Sequence, residues 1–79
     1  MKVKVLAFGI AKDIFGGSAI SVDISGNTTA GLKSTLENNY PRLKKLASYM
    51  IAVNSEYAHD DHLLTVDDEI AIIPPVSGG

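Results

Sequence analysis

Hydrophobic and polar residues alternate in two segments near the start of the chain. In residues 2–8, valine and alanine at the odd positions oppose lysine, leucine and phenylalanine at the even positions. This period of two predicts a β-strand, and residues 19–24 repeat it. The segment between them, GIAKDIFGGS, is predicted to be a loop, because Gly16 and Gly17 adopt positive φ at little cost. The two strands therefore predict a hairpin with a long connection.

Apolar residues at four-residue spacing predict the main helix. Leu32, Leu36 and Tyr40 fall on one face of a helix, and Asn27 or Thr28 can cap its first N–H groups. The proline that follows Tyr40 disfavours helical geometry at this tyrosine. The helix is therefore predicted to end there.

The second half of the chain predicts one further helical turn and three strands. Leu43 and Leu46 in the segment RLKKLASYM fit a helical turn. Residues 50–53 and 56–58 are predicted strands joined by a tight Asn-Ser turn. Residues 69–73 are apolar at nearly every position, which suits a strand that is buried on both faces or flanked by neighbours in the middle of a sheet.

This order of elements predicts the fold class. A single main helix can cover one face of a mixed sheet of about four to five strands. Within 79 residues, the order fits the α+β class and a ubiquitin-like β-grasp. A right-handed crossover would place the last strand parallel to the first, in the centre of the sheet. We expect residues 1–73 to form the β-grasp domain and residues 74–79 to form a flexible C-terminal tail.

Composition excludes several classes of function. The chain is 46% hydrophobic and 20% charged, has a net charge of −2 and contains no cysteine. Disulfides, thiolate metal sites and cysteine nucleophiles are excluded, and a cytoplasmic location is predicted. Nucleic acid is not an expected partner because no basic cluster is present, and no run reaches the roughly 18 apolar residues of a membrane helix. The expected partner is a protein or a small molecule.

The uncovered face of the predicted sheet carries two apolar residues. Leu6 and Phe8 lie on the opposite face of the first strand from Val3 and Val5. If the single helix covers only one face, Leu6 and Phe8 form part of an exposed apolar patch on which a partner could dock. The alternative is that RLKKLASYM folds over them, and the sequence favours neither.

Four other candidates for functional residues favour structural explanations. Residues 59–62, HDDH, offer metal ligands, but zinc requires four ligands of defined geometry, so a solvated loop is expected. Residues 67–69, DDE, are predicted to form a turn with a charged edge, which could meet a basic surface on a partner. Ser77 lacks an obvious base and acid, and Gly16 and Gly17 lack the lysine and Ser/Thr spacing of a phosphate loop.

The segment IIPPVSGG at the end of the chain indicates a reactive tail. Two prolines follow the last predicted strand, and each restricts its own φ, which lowers the entropy lost when the tail docks. The two final glycines have no Cβ and fit a narrow pocket. The residues predicted to bind partner proteins are Gly78, Ser77, Val76, Pro75, Pro74, Phe8 and Leu6.

Three segments resemble one family. AIIPPVSGG at the end, AVNSEYA upstream and KVLAF near the start are similar to the MoaD-type sulfur carriers, the small subunits of molybdopterin synthase. One departure is Asn54-Ser55, where Asn-Gly is expected in the turn after the third strand. Gly-Gly ends are also shared by thiamine-pathway sulfur carriers and by ubiquitin-like modifiers, so PPVSGG is the more specific part of the resemblance.

The resemblance implies a function for the terminal carboxylate. Gly79 would be adenylated by an ATP-using activating enzyme and converted to a thiocarboxylate, and its sulfur would pass to a pyranopterin precursor to form the molybdopterin dithiolene. The chain would bind no cofactor and have no catalytic residues of its own, because those would lie on the large subunit. Two small and two large subunits would assemble. The alternatives are a modifier joined to lysines through Gly79, a thiamine-pathway carrier and an inert interaction domain.

Overall fold

A computed structural model describes residues 1–46 and 48–74. Within them the chain forms five strands, two α-helices and one 3-10 helix. In chain order these are β1 Lys2–Ala7, α1 Ile10–Phe15, β2 Ala19–Asp23, α2 Thr29–Asn39, the 3-10 helix Pro41–Lys45, β3 Met50–Val53, β4 Glu56–Tyr57 and β5 Ile70–Ile73. The predicted tail lies outside the described residues except for Pro74, so the division of the chain at residue 73 stays a prediction.

The five strands form one mixed sheet in the order β2-β1-β5-β3-β4. The last strand, β5, lies parallel to β1 with Val5 opposite Ile70, and antiparallel to β3 on its other side. Strands β1 and β2 form the predicted antiparallel hairpin. The predicted β-grasp, with its last strand in the middle of the sheet, is confirmed.

Both helices and the 3-10 helix cover the same face of the sheet. Leu32 and Leu36 of α2 and Leu43 of the 3-10 helix are fully buried against core residues of β1 and β5. The helical turn predicted around Leu43 is therefore confirmed, in 3-10 form. Thr28 is the N-cap of α2, because its Oγ1 accepts a hydrogen bond from Gly31 N at 3.1 Å.

The prediction that GIAKDIFGGS is a loop is wrong, because this segment contains α1. Ala11, Ile14 and Phe15 follow helical spacing and are buried in the core. Gly16 ends the helix in the left-handed conformation, with φ of 79°, and donates a hydrogen bond to Lys12 O at 2.9 Å. The glycines that suggested a loop are thus the C-terminal cap of a short helix.

The tight turn between β3 and β4 has the left-handed geometry of a two-residue hairpin. Asn54 and Ser55 both have positive φ, 53° and 71°, as in the turn type that prefers Asn-Gly. Asparagine tolerates this region, whereas serine at the second position is less suited to it. The departure from Asn-Gly noted in the sequence therefore places backbone strain at Ser55.

We expect Ser55→Gly to stabilise the fold by about 0.5 kcal/mol. Relief of the left-handed strain contributes about 1 kcal/mol, and the greater freedom of glycine in the unfolded chain offsets part of it. Urea unfolding monitored by circular dichroism measures the change. The matched control is Asn54→Gly, which relieves the same type of strain but removes two side-chain hydrogen bonds, so we expect it to destabilise the chain. A loss of stability in Ser55→Gly would contradict the strain argument.

Candidate functional site: an open sheet face and the root of the tail

The sheet face that the helices leave uncovered carries a shallow apolar groove. Its volume is about 340 Å³. The groove is lined by residues of four strands and their connections, namely Leu6, Phe8, Ala52, Ser55, Tyr57, Glu69, Ala71 and Ile73. Phe8 is 49% exposed and Tyr57 is 65% exposed. Large aromatic surfaces exposed around an apolar floor are typical of protein-binding sites.

The structure decides between the two interpretations of Leu6 and Phe8. The 3-10 helix Pro41–Lys45 packs against α1 and α2, and its Leu43 points into the core on the other side of the sheet. The RLKKLASYM segment, as far as it is described, therefore does not cover Leu6 and Phe8. Phe8 is exposed and Leu6 is partly buried on this face, and their role in binding a partner stays a prediction.

Strand β5 has two different faces. Ile70 and Ile72 are fully buried in the core, whereas Ala71 and Ile73 are only partly buried and line the groove. The sequence left two explanations for the continuous apolarity of this strand: burial on both faces, or neighbours on both sides in the middle of the sheet. The second explanation is correct. The apolar residues on its second face form the groove floor.

A polar network fixes one edge of the groove. Asn54 donates a hydrogen bond from Nδ2 to Asp68 Oδ1 at 3.0 Å and accepts one at Oδ1 from Glu69 N, also at 3.0 Å. Asp68 Oδ2 accepts a further hydrogen bond from Thr65 N at 2.8 Å. These contacts tie the β3–β4 turn to the chain just before β5. The backbone of Glu69 is thereby fixed where this residue lines the groove.

The turn predicted at residues 67–69 lies slightly earlier, over residues 65–68, and its charged edge follows it. Asp68 N donates to Thr65 O at 3.2 Å, which closes the turn. The hydrogen bond from Thr65 N, followed by that from Asn54, holds the pKa of the Asp68 carboxyl below its ordinary value of 3.8. The network around Asn54 was not predicted, although an asparagine in a tight turn is a residue that often bonds to nearby backbone.

The HDDH segment has a structural role at the start of α2. The carbonyl oxygens of His62 and Asp60 accept hydrogen bonds from Thr29 N at 3.1 Å and Ala30 N at 2.9 Å. They satisfy donors that a helix start leaves without intrahelical partners. The segment is exposed, as predicted, and in the described residues no three His, Asp or Glu side chains are grouped to hold a metal ion.

The tail begins at the end of the central strand. Pro74 follows Ile73 directly and is partly buried. Pro75, Val76, Ser77, Gly78 and Gly79 lie outside the described residues, so the roles predicted for them stay predictions. No helix in residues 1–46 or 48–74 combines the length and hydropathy that a membrane crossing requires.

Comparison with known proteins shows the family. Residues 5–79 match the ThiS family. The chain is 39% identical to the molybdopterin synthase sulfur carrier subunit of Caenorhabditis elegans, over 100% of this chain and 99% of the relative. It is 36% identical to the subunit of the same name from Arabidopsis thaliana, over 100% of this chain and 84% of the relative.

Two solved structures agree with this assignment. The small archaeal modifier protein 1 of Methanosarcina acetivorans has a TM-score of 0.80 and 28% identity, covering 99% of this chain and 96% of the other. The protein-protein complex of subunits 1 and 2 of the molybdopterin-converting factor of Helicobacter pylori contains a chain with a TM-score of 0.70 and 26% identity, covering 100% of both chains. The chain therefore belongs to the ThiS family. The resemblance to sulfur carriers found in the sequence is confirmed.

The Asp68 network predicts a pH-dependent contribution to stability. Because the pKa of Asp68 is lower in the folded chain than in the unfolded chain, the contribution is present above pH 3.8 and is lost as the pH falls through the folded-state value. We expect the difference in free energy of unfolding between wild type and Asp68→Ala to shrink below pH 3.8, as measured by urea unfolding at a series of pH values.

A matched control for this experiment is Asp67→Ala. It makes the same change of side chain and charge one residue earlier in the turn and leaves the bonds of Asn54 and Thr65 to Asp68 in place. Its effect on stability should vary less with pH. The network's role would be contradicted if the difference in free energy of unfolding between wild type and Asp68→Ala were the same below pH 3.8 as above it.

Proposed function

We propose that this chain is the sulfur-carrier subunit of a molybdopterin synthase and that the carboxylate of Gly79 is its reactive group. The observation that supports this most directly is full-length similarity to sulfur carrier subunits. The match to the ThiS family also runs through residue 79. The chain would carry sulfur without catalysing its transfer, and the catalytic residues would lie on the large subunit.

The chemistry requires activation by another enzyme. A carboxylate is a poor electrophile, because its negative charge and resonance oppose attack. In the proposed sequence, the Gly79 carboxylate attacks the α-phosphate of ATP and releases pyrophosphate, which leaves an acyl-adenylate with AMP as a good leaving group. Hydrosulfide supplied by a donor then attacks the carbonyl carbon, the C–O bond to AMP breaks, and the product is a thiocarboxylate. The chain has no cysteine that could hold sulfur as a persulfide, so the terminal thiocarboxylate is where it would be carried.

The open sheet face is the proposed docking surface for both protein partners. The groove around Leu6 and Phe8 supplies the apolar contact area, and Glu69 at its edge would face a basic residue of the partner. The complex of the related Helicobacter pylori subunits supports a large-subunit partner. The proposal also includes an activating enzyme as the second partner, an assembly of two small and two large subunits, and a cytoplasmic location.

The reach of the tail suits this arrangement. From Pro74 to Gly79, the chain spans at most roughly 20 Å when extended. That length would let the sheet face dock on one surface while the terminal carboxylate enters an active site of the same partner. Docking and chemistry are thereby assigned to different parts of the chain.

A ubiquitin-like modifier is the second candidate. The similarity to the small archaeal modifier protein 1 favours it, since the fold and the Gly-Gly end would serve a modifier equally well. The two functions differ in what receives the activated Gly79 carbonyl, a sulfur atom or a lysine amine. Immunoblots of extracts from the native host would show conjugates of many sizes for a modifier and the free chain for a dedicated carrier.

We expect deletion of Gly79 to abolish sulfur transfer while the fold persists. The deletion removes the carboxylate that is activated and leaves the core elements unchanged. Intact mass spectrometry of protein purified from its own host should show the mass change of one oxygen-to-sulfur exchange at the last residue in the wild type and none in the deletion variant. Circular dichroism and unfolding curves should coincide. Normal molybdopterin production by the deletion variant would refute the proposed role of Gly79.

We expect Phe8→Ala to weaken binding of the large subunit by roughly thirtyfold. Loss of a central aromatic contact costs about 2 kcal/mol at a protein interface. Isothermal titration calorimetry measures the change. The control is Leu63→Ala, because Leu63 is 63% exposed and does not line the groove. Equal affinities for the wild type and Phe8→Ala would place the docking surface elsewhere.

A further inference from the structure

Gly9 lies beside the first residue of the tail. In the parallel pair of β1 and β5, Ala7 is opposite Ile72, and two further steps of the same register bring Gly9 opposite Pro74. Pro74 has no N–H to continue the ladder, and the chain after Gly9 turns away into α1. The central strand therefore ends where Gly9 and Pro74 meet.

The backbone of Gly9 has a conformation that other residues rarely adopt. Its φ is 56° and its ψ is −132°, which combines positive φ with an extended ψ that essentially only glycine tolerates. The first turn of α1 secures this geometry on both sides of the residue. Ala11 N donates to Phe8 O at 3.0 Å, and Lys12 N donates to Gly9 O at 3.1 Å.

The Pro74 ring lies against the side of Gly9 that carries no Cβ. A Cβ added to Gly9 would lie 3.3 Å from Pro74 Cγ, which is tight enough that the ring would have to give by a few tenths of an ångström. Gly16 and Gly26 also have positive φ, 79° and 78°, but a Cβ on either would meet nothing within 4 Å. Among these three glycines, only Gly9 has its open side against the tail.

We propose that Gly9 is a positioning residue that sets the direction in which the tail leaves the domain. This inference rests on the proposed function, because the direction matters only if Gly79 must reach a partner's active site. Pro74 is held close to the β1–α1 turn, and a proline on its C-terminal side restricts Pro74 itself to extended geometry. A rotation of about 10° at this point would move the end of a fully extended tail by about 3 Å.

The proposed role predicts how activation kinetics respond to Gly9→Ala. The added methyl displaces Pro74, so the tail is misdirected while the sheet face still docks. We expect kcat for adenylation of Gly79 to fall about fivefold or more, since small errors in placement are costly to reaction rates, with KM for the carrier changed less than twofold. ATP–pyrophosphate exchange with the activating enzyme of the same organism measures both values.

A double-mutant cycle with Pro74→Ala separates contact from backbone strain. Pro74→Ala removes the Cγ atom that the new methyl would meet, so Gly9→Ala in this background should change kcat less than twofold. Backbone strain at residue 9 is the same with Pro74 or with alanine at position 74. Strain alone would therefore lower kcat by the same factor in both backgrounds. Gly16→Ala and Gly26→Ala test positive-φ strain elsewhere and should lower stability in urea without lowering kcat.

Each outcome supports or overturns the inference. A fall in kcat for Gly9→Ala that disappears in the Pro74→Ala background supports it. An equal fall in both backgrounds, or in the Gly16→Ala control, shows a structural effect and overturns it. If the wild type is adenylated and Gly9→Ala behaves identically, this inference alone fails. If the wild type is not adenylated, the proposed function fails as well, and the two failures are thereby distinguished.

Discussion

The parallel pairing of β1 with β5 is the contact on which the rest of the structure depends. It joins the beginning of the chain to its last strand, with Val5 opposite Ile70 and both side chains fully buried. Parallel strands cannot be joined by a tight turn, so the long connection between them must contain α2 and the other strands. Because this pair lies at the sheet centre, the strand that precedes the tail has a neighbour on each side.

A chain of 79 residues has enough apolar side chains to cover one face of this sheet. The two α-helices and the 3-10 helix supply that cover, with Leu32, Leu36 and Leu43 at its centre. The other face retains an apolar groove, with Phe8 exposed and Leu6 partly buried. In an isolated domain this surface is a solubility cost, and in the proposed sulfur carrier it would be the binding site that two partners share.

The larger part of the fold could be predicted from the sequence because its signals are periodic. The alternation of β1, the four-residue spacing of α2 and the uninterrupted apolar run of β5 each extend over enough residues to be distinctive. α1 was missed because Ala11, Ile14 and Phe15 give only one repeat of the helical pattern, and the glycines after them are equally typical of loops.

The candidate site also combines features that the sequence could predict with features that it could not. The position of Leu6 and Phe8 on the uncovered face follows from strand alternation, once the structure shows that the 3-10 helix packs on the other side. The bonds of Asn54 to Asp68 and Glu69, and the approach of Pro74 to Gly9, join residues far apart in the chain. No local pattern indicates such pairs, because they depend on the register of strands that meet only after folding.

The main-chain contacts that begin α2 have a consequence for how this domain can vary between species. Thr29 and Ala30 are satisfied by carbonyl groups of the HDDH segment, and every amino acid carries a carbonyl. Selection on that loop should act mainly on its length and path and leave its side chains free to change, because the one side-chain contact it makes to α2 in the described residues, Asp60 to Lys33, is an exposed ion pair of little energetic weight. Two relatives could differ at each of those four positions and still start the helix at the same residue.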